Sequence, residues 1–420
     1  MLIEKQNIFF LMYLFFMVSA AILGLLKFTI YAKLLSIEEF GLYSLVLSGY
    51  LFIIYAGSFG FNEALVKQGS IAYGRGDTKY IQELYGLAFL YSTFGVLFFF
   101  IVSSLLANIY IEDELIKKAF TLMGFLAFST IEFNLVISYL RVNHRFVMFS
   151  FMLFIKSLLV IILTWYFVPI YGVNGVITLE VIIFLLLAII AIYFNKPHFD
   201  YKRILKGHTL FKKTLKHGAP LMVSTVIKNV TLNIDRWVIA ASLGIPVLAK
   251  YAFAMILYQV GLVVIGFIST ILGTKWLANF GRNSSLDRIL NSIIKIMLIG
   301  FVLSIALAWP IISIISYIVD LYYPIYAGSD FKLTIIFVYF GVVFLALVSL
   351  LDWIFIASSN ERILLKFSLY SLIATALLIY YCYLVEADVY MYAFIFLVVR
   401  VFNLILGVVS IPSLLKSKVF

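Results

Sequence analysis

The chain has few of the charged groups that cover a soluble protein. Charged residues make up 12% of its 420 residues, whereas an ordinary soluble domain contains roughly 25%. Hydrophobic residues make up 64%. This composition excludes a soluble globular domain and indicates a protein that crosses a membrane several times.

Cysteine and histidine are also scarce, which limits the kinds of metal site and catalytic site that the chain can form. A single cysteine, Cys382, excludes a disulfide framework, a cysteine-based metal site and CxxC redox chemistry within one chain. The GxxxxGK[ST] phosphate loop is missing as well. These absences argue against metalloenzymes, acyltransferases and P-loop ATPases, so we expect no enzyme activity and no bound cofactor. The four histidines all lie in predicted cytoplasmic loops: His144, His198, His208 and His217.

Long apolar stretches fill most of the sequence. A helix needs about 20 apolar residues to cross the hydrocarbon core, whereas a barrel strand needs only about 9–11. The lengths of the stretches therefore predict helices rather than strands. We expect twelve spans, at 8–33, 41–61, 84–109, 119–140, 146–168, 172–194, 218–242, 248–271, 291–318, 333–357, 363–384 and 389–411.

Lysine and arginine are concentrated in alternate loops. Under the positive-inside rule the richer side is cytoplasmic, which predicts that both termini are cytoplasmic and that each half has six spans. The net charge of +11 therefore reflects membrane topology, and we expect no nucleic-acid partner. The basic segment 195–217 is predicted to be a cytoplasmic linker that contacts anionic lipids.

The second half of the chain resembles the first at a shift of 208 residues. Residues 32–43 align with residues 240–251, and Ala, Leu, Ile and Tyr recur in register. Because each copy has an even number of spans, both halves should have the same orientation, related by an axis along the membrane normal. The prediction is an all-α membrane protein with two pseudo-twofold-related six-helix bundles, at 1–194 and 218–420, joined by the linker 195–217.

Ionisable side chains within the predicted spans are the candidate functional residues. Each costs about 2.5–3.5 kcal/mol at mid-membrane, so by default it marks a site. Long cations in a closed cavity suit an anionic, phosphate-bearing substrate. The candidates for binding a substrate are Lys27, Lys156, Lys228, Asp235, Arg236 and Arg400.

Two further hypotheses concern the embedded charges. Lys27 corresponds to Asp235 at the repeat shift, so we expect them to form an ion pair that changes during transport, or a permanent packing pair. Glu132, Glu180 and Asp235 are candidates for binding a coupling ion, H+ or Na+. For Glu132 and Glu180 the alternative role, as counter-ions of the embedded lysines, stays open.

Two segments carry a resemblance to a known family. The first runs from Ala32 to Tyr43, followed by Gly60 and Ala64-Leu65-Val66-Lys67; the second contains Gly218-Ala219-Pro220, Asn233-Ile234-Asp235-Arg236, Leu243-Gly244 and Tyr251. Together they resemble the polysaccharide-transport branch of the multidrug/oligosaccharidyl-lipid/polysaccharide (MOP) exporter superfamily, and within it the Wzx-type flippases of O-antigen or capsule repeat units. Lys33 stands where this family usually has arginine, which removes bidentate geometry from that position.

This resemblance implies a flippase in the bacterial cytoplasmic (inner) membrane. It would move an undecaprenyl-pyrophosphate-linked oligosaccharide across the membrane by alternating access, with membrane lipids, a polysaccharide polymerase and a chain-length regulator as candidate partners. It adds Lys33 and Asn233 to the candidate site. Two alternatives stay open: a cation-coupled drug or solute antiporter of the same superfamily, and a membrane-embedded polysaccharide polymerase or glycosyltransferase.

Overall fold

A computed structural model describes residues 2–74, 76–195, 208–256, 286–357 and 361–416. Within these ranges the chain is helical apart from short connections, and they contain no strand. Part of the predicted linker (196–207) and the second part of predicted span 8 (257–271) lie outside the described residues.

The helices of the first half begin with α1 (Leu2–Leu34) and α2 (Ile37–Gly57). They continue with α3 (Phe61–Gly74), α4 (Thr78–Tyr110), α5 (Glu114–Val142) and α6 (Phe146–Asn195). In this half α1 packs on α6, and α5 packs between α4 and α6.

The later helices are α7 (His208–Ser242), α8 (Ile245–Ala254), α9 (Leu286–Tyr322), α10 (Ser329–Ala357), α11 (Glu361–Leu384) and α12 (Val389–Lys416). Here α10 packs on α9 and α12, and α11 also contacts α12. Buried apolar side chains hold α9, α10 and α11 together, among them Ile293, Leu350, Leu351, Phe355 and Leu364.

Nine of the described helices are long and apolar enough to cross a membrane. One of them, α6, has 50 residues, about twice what a single crossing needs. It covers predicted spans 5 and 6, and its backbone leaves the helical region at Gly172 (φ 55°), the first residue of predicted span 6. Predicted span 7 falls in α7. This helix carries too many polar residues to be counted among the nine apolar helices.

A glutamate at the turn between α1 and α2 contacts the backbone at the break in α6. Glu39 completes a capping box at the start of α2, where its Oε2 accepts from the Ser36 backbone N–H at 3.1 Å. Its Oε1 accepts from the backbone N–H of Val173 at 3.2 Å. A side chain at Gly172 would collide with this carboxylate. The contact therefore joins the start of α2 to the helical segment that follows the break.

A second break separates α2 from α3 within predicted span 2. Phe59 and Gly60 both have positive φ, at 47° and 76°. Gly60 lies against Gly218 of α7, and a Cβ built on either residue would collide with the backbone of the other. Phe211, at the start of α7, packs nearby on Phe61 with the ring centroids 5.7 Å apart.

The described chain divides into two compact units, Met1–Asn229 and Val230–Phe420. The division falls within α7, so the early part of that helix belongs to the first unit and Asp235 to the second. The bundle boundaries predicted from the sequence, at 194 and 218, stay a prediction.

Candidate functional site

The first unit buries a carboxylate among three donors. Glu180, in the second part of α6, is only 2% exposed. Its Oε1 accepts from Lys27 Nζ at 2.8 Å, from the Tyr43 hydroxyl at 2.9 Å and from the Tyr31 hydroxyl at 3.2 Å. A charge-assisted hydrogen bond of this length is among the stronger polar contacts in proteins. Of the two roles left open for Glu180, the geometry favours that of a counter-ion for Lys27.

A second cation of the same unit lies close to this pair. Lys156 of α6 interacts electrostatically with both Lys27 and Glu180. Its Nζ lies 5.6 Å from the ring centroid of Phe133 and 5.2 Å from that of Phe184, distances at which a ring face attracts a cation. Lys27, Lys156 and Glu180 together form the first-half cluster, which holds two cations and one carboxylate.

The second unit contains a cluster of the same composition. Asp235 and Arg236 of α7 and Arg400 of α12 are all buried. The Asp235 carboxylate accepts from the Tyr251 hydroxyl and, through Oδ1, from the Arg236 backbone N–H at 2.8 Å. Arg236 and Arg400 both interact electrostatically with Asp235. We call Asp235, Arg236 and Arg400 the second-half cluster; it too holds two cations and one carboxylate.

Glu132 of α5 is buried without a comparable set of donors. Its Oε1 accepts from the Thr93 hydroxyl of α4 at 2.5 Å. Its second oxygen, Oε2, has no hydrogen-bond partner among the residues that the structure describes. Glu132 thus differs from Glu180, whose carboxylate is bound to a lysine.

The structure brings six of the sequence-predicted site residues into these two clusters. Lys27 binds Glu180, and Asp235 accepts from Tyr251, each within its own unit. The hypothesised pairing of Lys27 with Asp235 stays a prediction. Asn233 is buried on α7. Lys33 and Lys228 are exposed and belong to neither cluster.

Tyrosines are the residues that sequence reasoning missed. Tyr31, Tyr43 and Tyr251 contact the buried carboxylates, but a search for embedded charges passes over uncharged side chains. One signal was available, because Tyr43 and Tyr251 occupy equivalent positions of the internal repeat. An aromatic residue that recurs at the repeat shift is therefore a signal by which these tyrosines could have been predicted as site residues.

A comparison with protein families identifies the chain. A family model described as "Polysaccharide biosynthesis protein" matches residues 5–272, which is more than half of the sequence. The chain belongs to this family. No curated protein sequence matches it.

Solved structures of MATE transporters share the fold of this polysaccharide biosynthesis protein. One is an inward-facing multidrug resistance MATE transporter of the MOP superfamily, at 15% identity and TM-score 0.67, covering 95% of this chain and 96% of that chain. A MATE protein in complex with MaL6 matches at 14% identity and TM-score 0.66, covering 96% and 94%. A mutant of the Vibrio cholerae transporter VcmN matches at 17% identity and TM-score 0.63, covering 97% and 96%.

The family match and the structural likeness together show which broad class of protein this is. At these identities the structural likeness shows the fold alone, which is the twelve-helix all-α membrane fold of MATE transporters. The predictions of the fold class and of the polysaccharide-transport branch of the MOP superfamily are confirmed. This polysaccharide biosynthesis protein is a multi-pass membrane protein with the fold of MATE transporters.

Proposed function

We propose that this membrane protein is a flippase for lipid-linked oligosaccharides. It moves a polysaccharide repeat unit attached to undecaprenyl pyrophosphate from the cytoplasmic to the outer leaflet of the bacterial inner membrane. Transport proceeds by alternating access, and both termini are cytoplasmic. The family match to polysaccharide biosynthesis and the fold of a MOP exporter support this proposal.

The observation that carries the proposal is the composition of the two clusters, whose carboxylates are buried and whose lysines Lys27 and Lys156 are half-buried. Each contains two cations and a single carboxylate, so each has one positive charge beyond its own carboxylate. Burying such a charge is costly unless a counter-ion binds. A pyrophosphate head group supplies the negative charge that a cluster of this composition attracts, whereas a cationic drug would be repelled by it.

Arg236 and Lys156 are the residues that we assign to the head group. The Nε–H of Arg236 is a buried donor that has no acceptor among the described residues. A guanidinium binds two phosphate oxygens in a fork, whereas Lys156 acts as a point charge. The exposed residues Lys33 and Lys228 attract the anionic head group towards the site, and we assign Asn233, which is buried on α7, to the sugar hydroxyls.

Glu132 is our choice for the coupling site among the three acidic candidates. The carboxylates of Glu180 and Asp235 are both engaged by the clusters, but Glu132 has a single hydroxyl donor. A buried carboxylate with an open oxygen can take up and release a proton without breaking an ion pair. We therefore propose H+ rather than Na+, because a sodium ion needs several oxygen ligands.

The second candidate function is a cation-coupled drug or solute antiporter. The printed descriptions of the structural matches favour it, since one of them is a multidrug resistance transporter. A membrane-embedded polymerase or glycosyltransferase has less support, because the family's structural relatives are transporters. The proposed partners, a polymerase and a chain-length regulator, would use the exported repeat unit.

The test is complementation of a strain that lacks the gene. Wild-type protein should restore surface polysaccharide, while Lys156→Met and Arg236→Met should not, at equal protein levels in the membrane. Lys118→Met, at an exposed position of the outer part of α5, is the matched control and should restore it. Normal surface polysaccharide in the deletion strain, together with drug sensitivity that the gene reverses, would establish the antiporter instead.

A further inference from the structure

The two lysines of the first-half cluster have different surroundings. Nζ of Lys27 lies 2.8 Å from Oε1 of Glu180, so a carboxylate neutralises its charge. The other donors to this oxygen are the hydroxyls of Tyr31 and Tyr43. Nζ of Lys156 makes no hydrogen bond and no ion pair with the residues that the structure describes. Lys156 is therefore the cation of this cluster that no carboxylate neutralises by direct contact.

Two phenylalanine rings contact the Lys156 ammonium. Phe133 of α5 and Phe184 of α6 are buried, and their rings stack with the centroids 5.7 Å apart and the planes at 15°. Nζ of Lys156 lies 5.6 Å from the centroid of Phe133 and 5.2 Å from that of Phe184. The ammonium and the two centroids thus form a triangle with nearly equal sides, so the cation contacts both rings at once.

The second part of α6 carries a partner for each lysine. Glu180 and Phe184 are four residues apart in this helix, which places them on one face and one turn apart. Glu180 binds Lys27 of α1, and Phe184 contacts Lys156. One helix face therefore presents a carboxylate to one cation and an aromatic ring to the other.

A carboxylate and a ring face hold a cation with different consequences. A carboxylate accepts hydrogen bonds from the ammonium and cancels its charge. A ring face attracts the ammonium through its quadrupole but carries no net charge. A lysine that is held by rings alone therefore keeps its positive charge and its N–H donors for an anion.

We propose that Phe133 and Phe184 form an aromatic seat that positions the Lys156 ammonium for the pyrophosphate head group. The seat rests on the proposed function, because that function assigns Lys156 to the head group. Both rings are buried, so they act through the lysine and are positioning residues. They lower the cost of holding a cation inside the protein without neutralising the charge that the substrate needs.

A double-mutant cycle tests the seat without any substrate. The full chain is purified in detergent with a trifluorinated phenylalanine at position 184, both in the wild type and in Lys156→Met. Fluorine withdraws electron density from the ring face with little change of shape, which weakens the attraction of the ring for a cation. The fluorinated ring should lower the thermal unfolding midpoint of the wild type and should not lower that of Lys156→Met. Equal shifts in the two backgrounds would overturn the seat.

Phe125 provides the control for this cycle. It lies on α5, as Phe133 does, and its ring packs on that of Phe100 with the centroids 4.6 Å apart. No lysine or arginine among the described residues lies over this ring. The fluorinated ring at position 125 should shift the midpoint equally with and without Lys156. A difference between the backgrounds as large as that at position 184 would count against the seat.

Binding of inorganic pyrophosphate to the purified protein tests what the seat positions. Lys156→Met should weaken binding most. Phe184→Leu keeps an apolar side chain but removes the ring, so it should weaken binding by roughly 2- to 30-fold, the range that corresponds to one ring face. Phe184→Tyr restores a ring face and should retain most of the affinity. Binding by Phe184→Leu as tight as that of the wild type would overturn the positioning role.

The two experiments distinguish failure of the seat from failure of the proposed function. A difference between the two backgrounds in the unfolding cycle, in a protein that does not bind pyrophosphate, would support the seat and contradict the assignment of Lys156 to the head group. Loss of binding in Lys156→Met, with equal shifts in the unfolding cycle, would support that assignment and overturn the seat.

Discussion

Gly60 and Gly218 lie so close that neither residue has room for a side chain. A Cβ on either would collide with the backbone of the other. Both residues belong to the sequence segments that resemble the family, and the contact gives a physical reason for glycine at each position. It joins the break between α2 and α3 to the early part of α7.

The first prediction follows from this contact. Gly218→Ala should lower the free energy of unfolding by about 1–3 kcal/mol, the usual cost of overpacking. Gly300→Ala is the control, because its Cβ would meet nothing within 4 Å and alanine favours a helix by about 1 kcal/mol. Unfolding in detergent measures both. Equal midpoints for the two variants would show that the close approach does not constrain position 218.

A second prediction concerns the contact between Glu39 and the break at Gly172. Glu39→Ala removes both the capping interaction with Ser36 and the acceptor for the Val173 N–H. We expect a loss of about 1–2 kcal/mol, as for other helix caps. Glu38→Ala, at the exposed neighbouring position, should cost much less.

Glutamine tests whether Glu39 acts through its charge or through its geometry. Glu39→Gln keeps one oxygen acceptor and should retain part of the stability. Unfolding midpoints of the alanine, glutamine and Glu38 variants can be compared directly. If the unfolding midpoint of Glu39→Ala is no lower than that of Glu38→Ala, the contact of the Glu39 carboxylate with the backbone at Val173 does not stabilise the protein.

Much of the fold was predictable because it depends on the lengths and flanks of apolar stretches. The described helices cover the expected spans except for residues 257–271 of predicted span 8, which lie outside the described residues, and the resemblance pointed to the correct superfamily. The breaks at Gly60 and Gly172 were not predictable. Both depend on contacts with residues distant in the sequence, Gly218 in one case and Glu39 in the other, which periodicity along a single helix does not reveal.

The embedded charges of the site were predictable, but the contact between Lys27 and Glu180 could not be chosen from the sequence. Hydropathy alone identified Lys27, Glu180, Asp235 and Arg400 as embedded. The repeat suggested that Lys27 would pair with Asp235, because it places equivalent residues at equal depth. That pairing stays a prediction, whereas the contact of Lys27 with Glu180 lies between α1 and α6. The packing of α1 on α6 therefore explains why Lys27 binds Glu180.

The third prediction separates the charge of Lys156 from its shape. Lys156→Arg keeps the cation and its contact with the rings of Phe133 and Phe184, so it should retain measurable export. Lys156→Met has a similar size without charge and should abolish export while leaving the protein folded. Surface polysaccharide at matched protein levels is the measurement. Export by Lys156→Met equal to that of Lys156→Arg would exclude a role for the charge.

The fourth prediction tests Glu132 as the proton site. Glu132→Gln keeps the acceptor for Thr93 but cannot exchange a proton, so lipid flipping in vesicles should no longer respond to an imposed pH gradient. The protein should remain folded, because the substitution preserves shape and breaks no ion pair. Asp113→Asn is the control: Asp113 caps the start of α5, and this variant should keep the response. A gradient response in Glu132→Gln equal to that of wild type would place the coupling proton on another group.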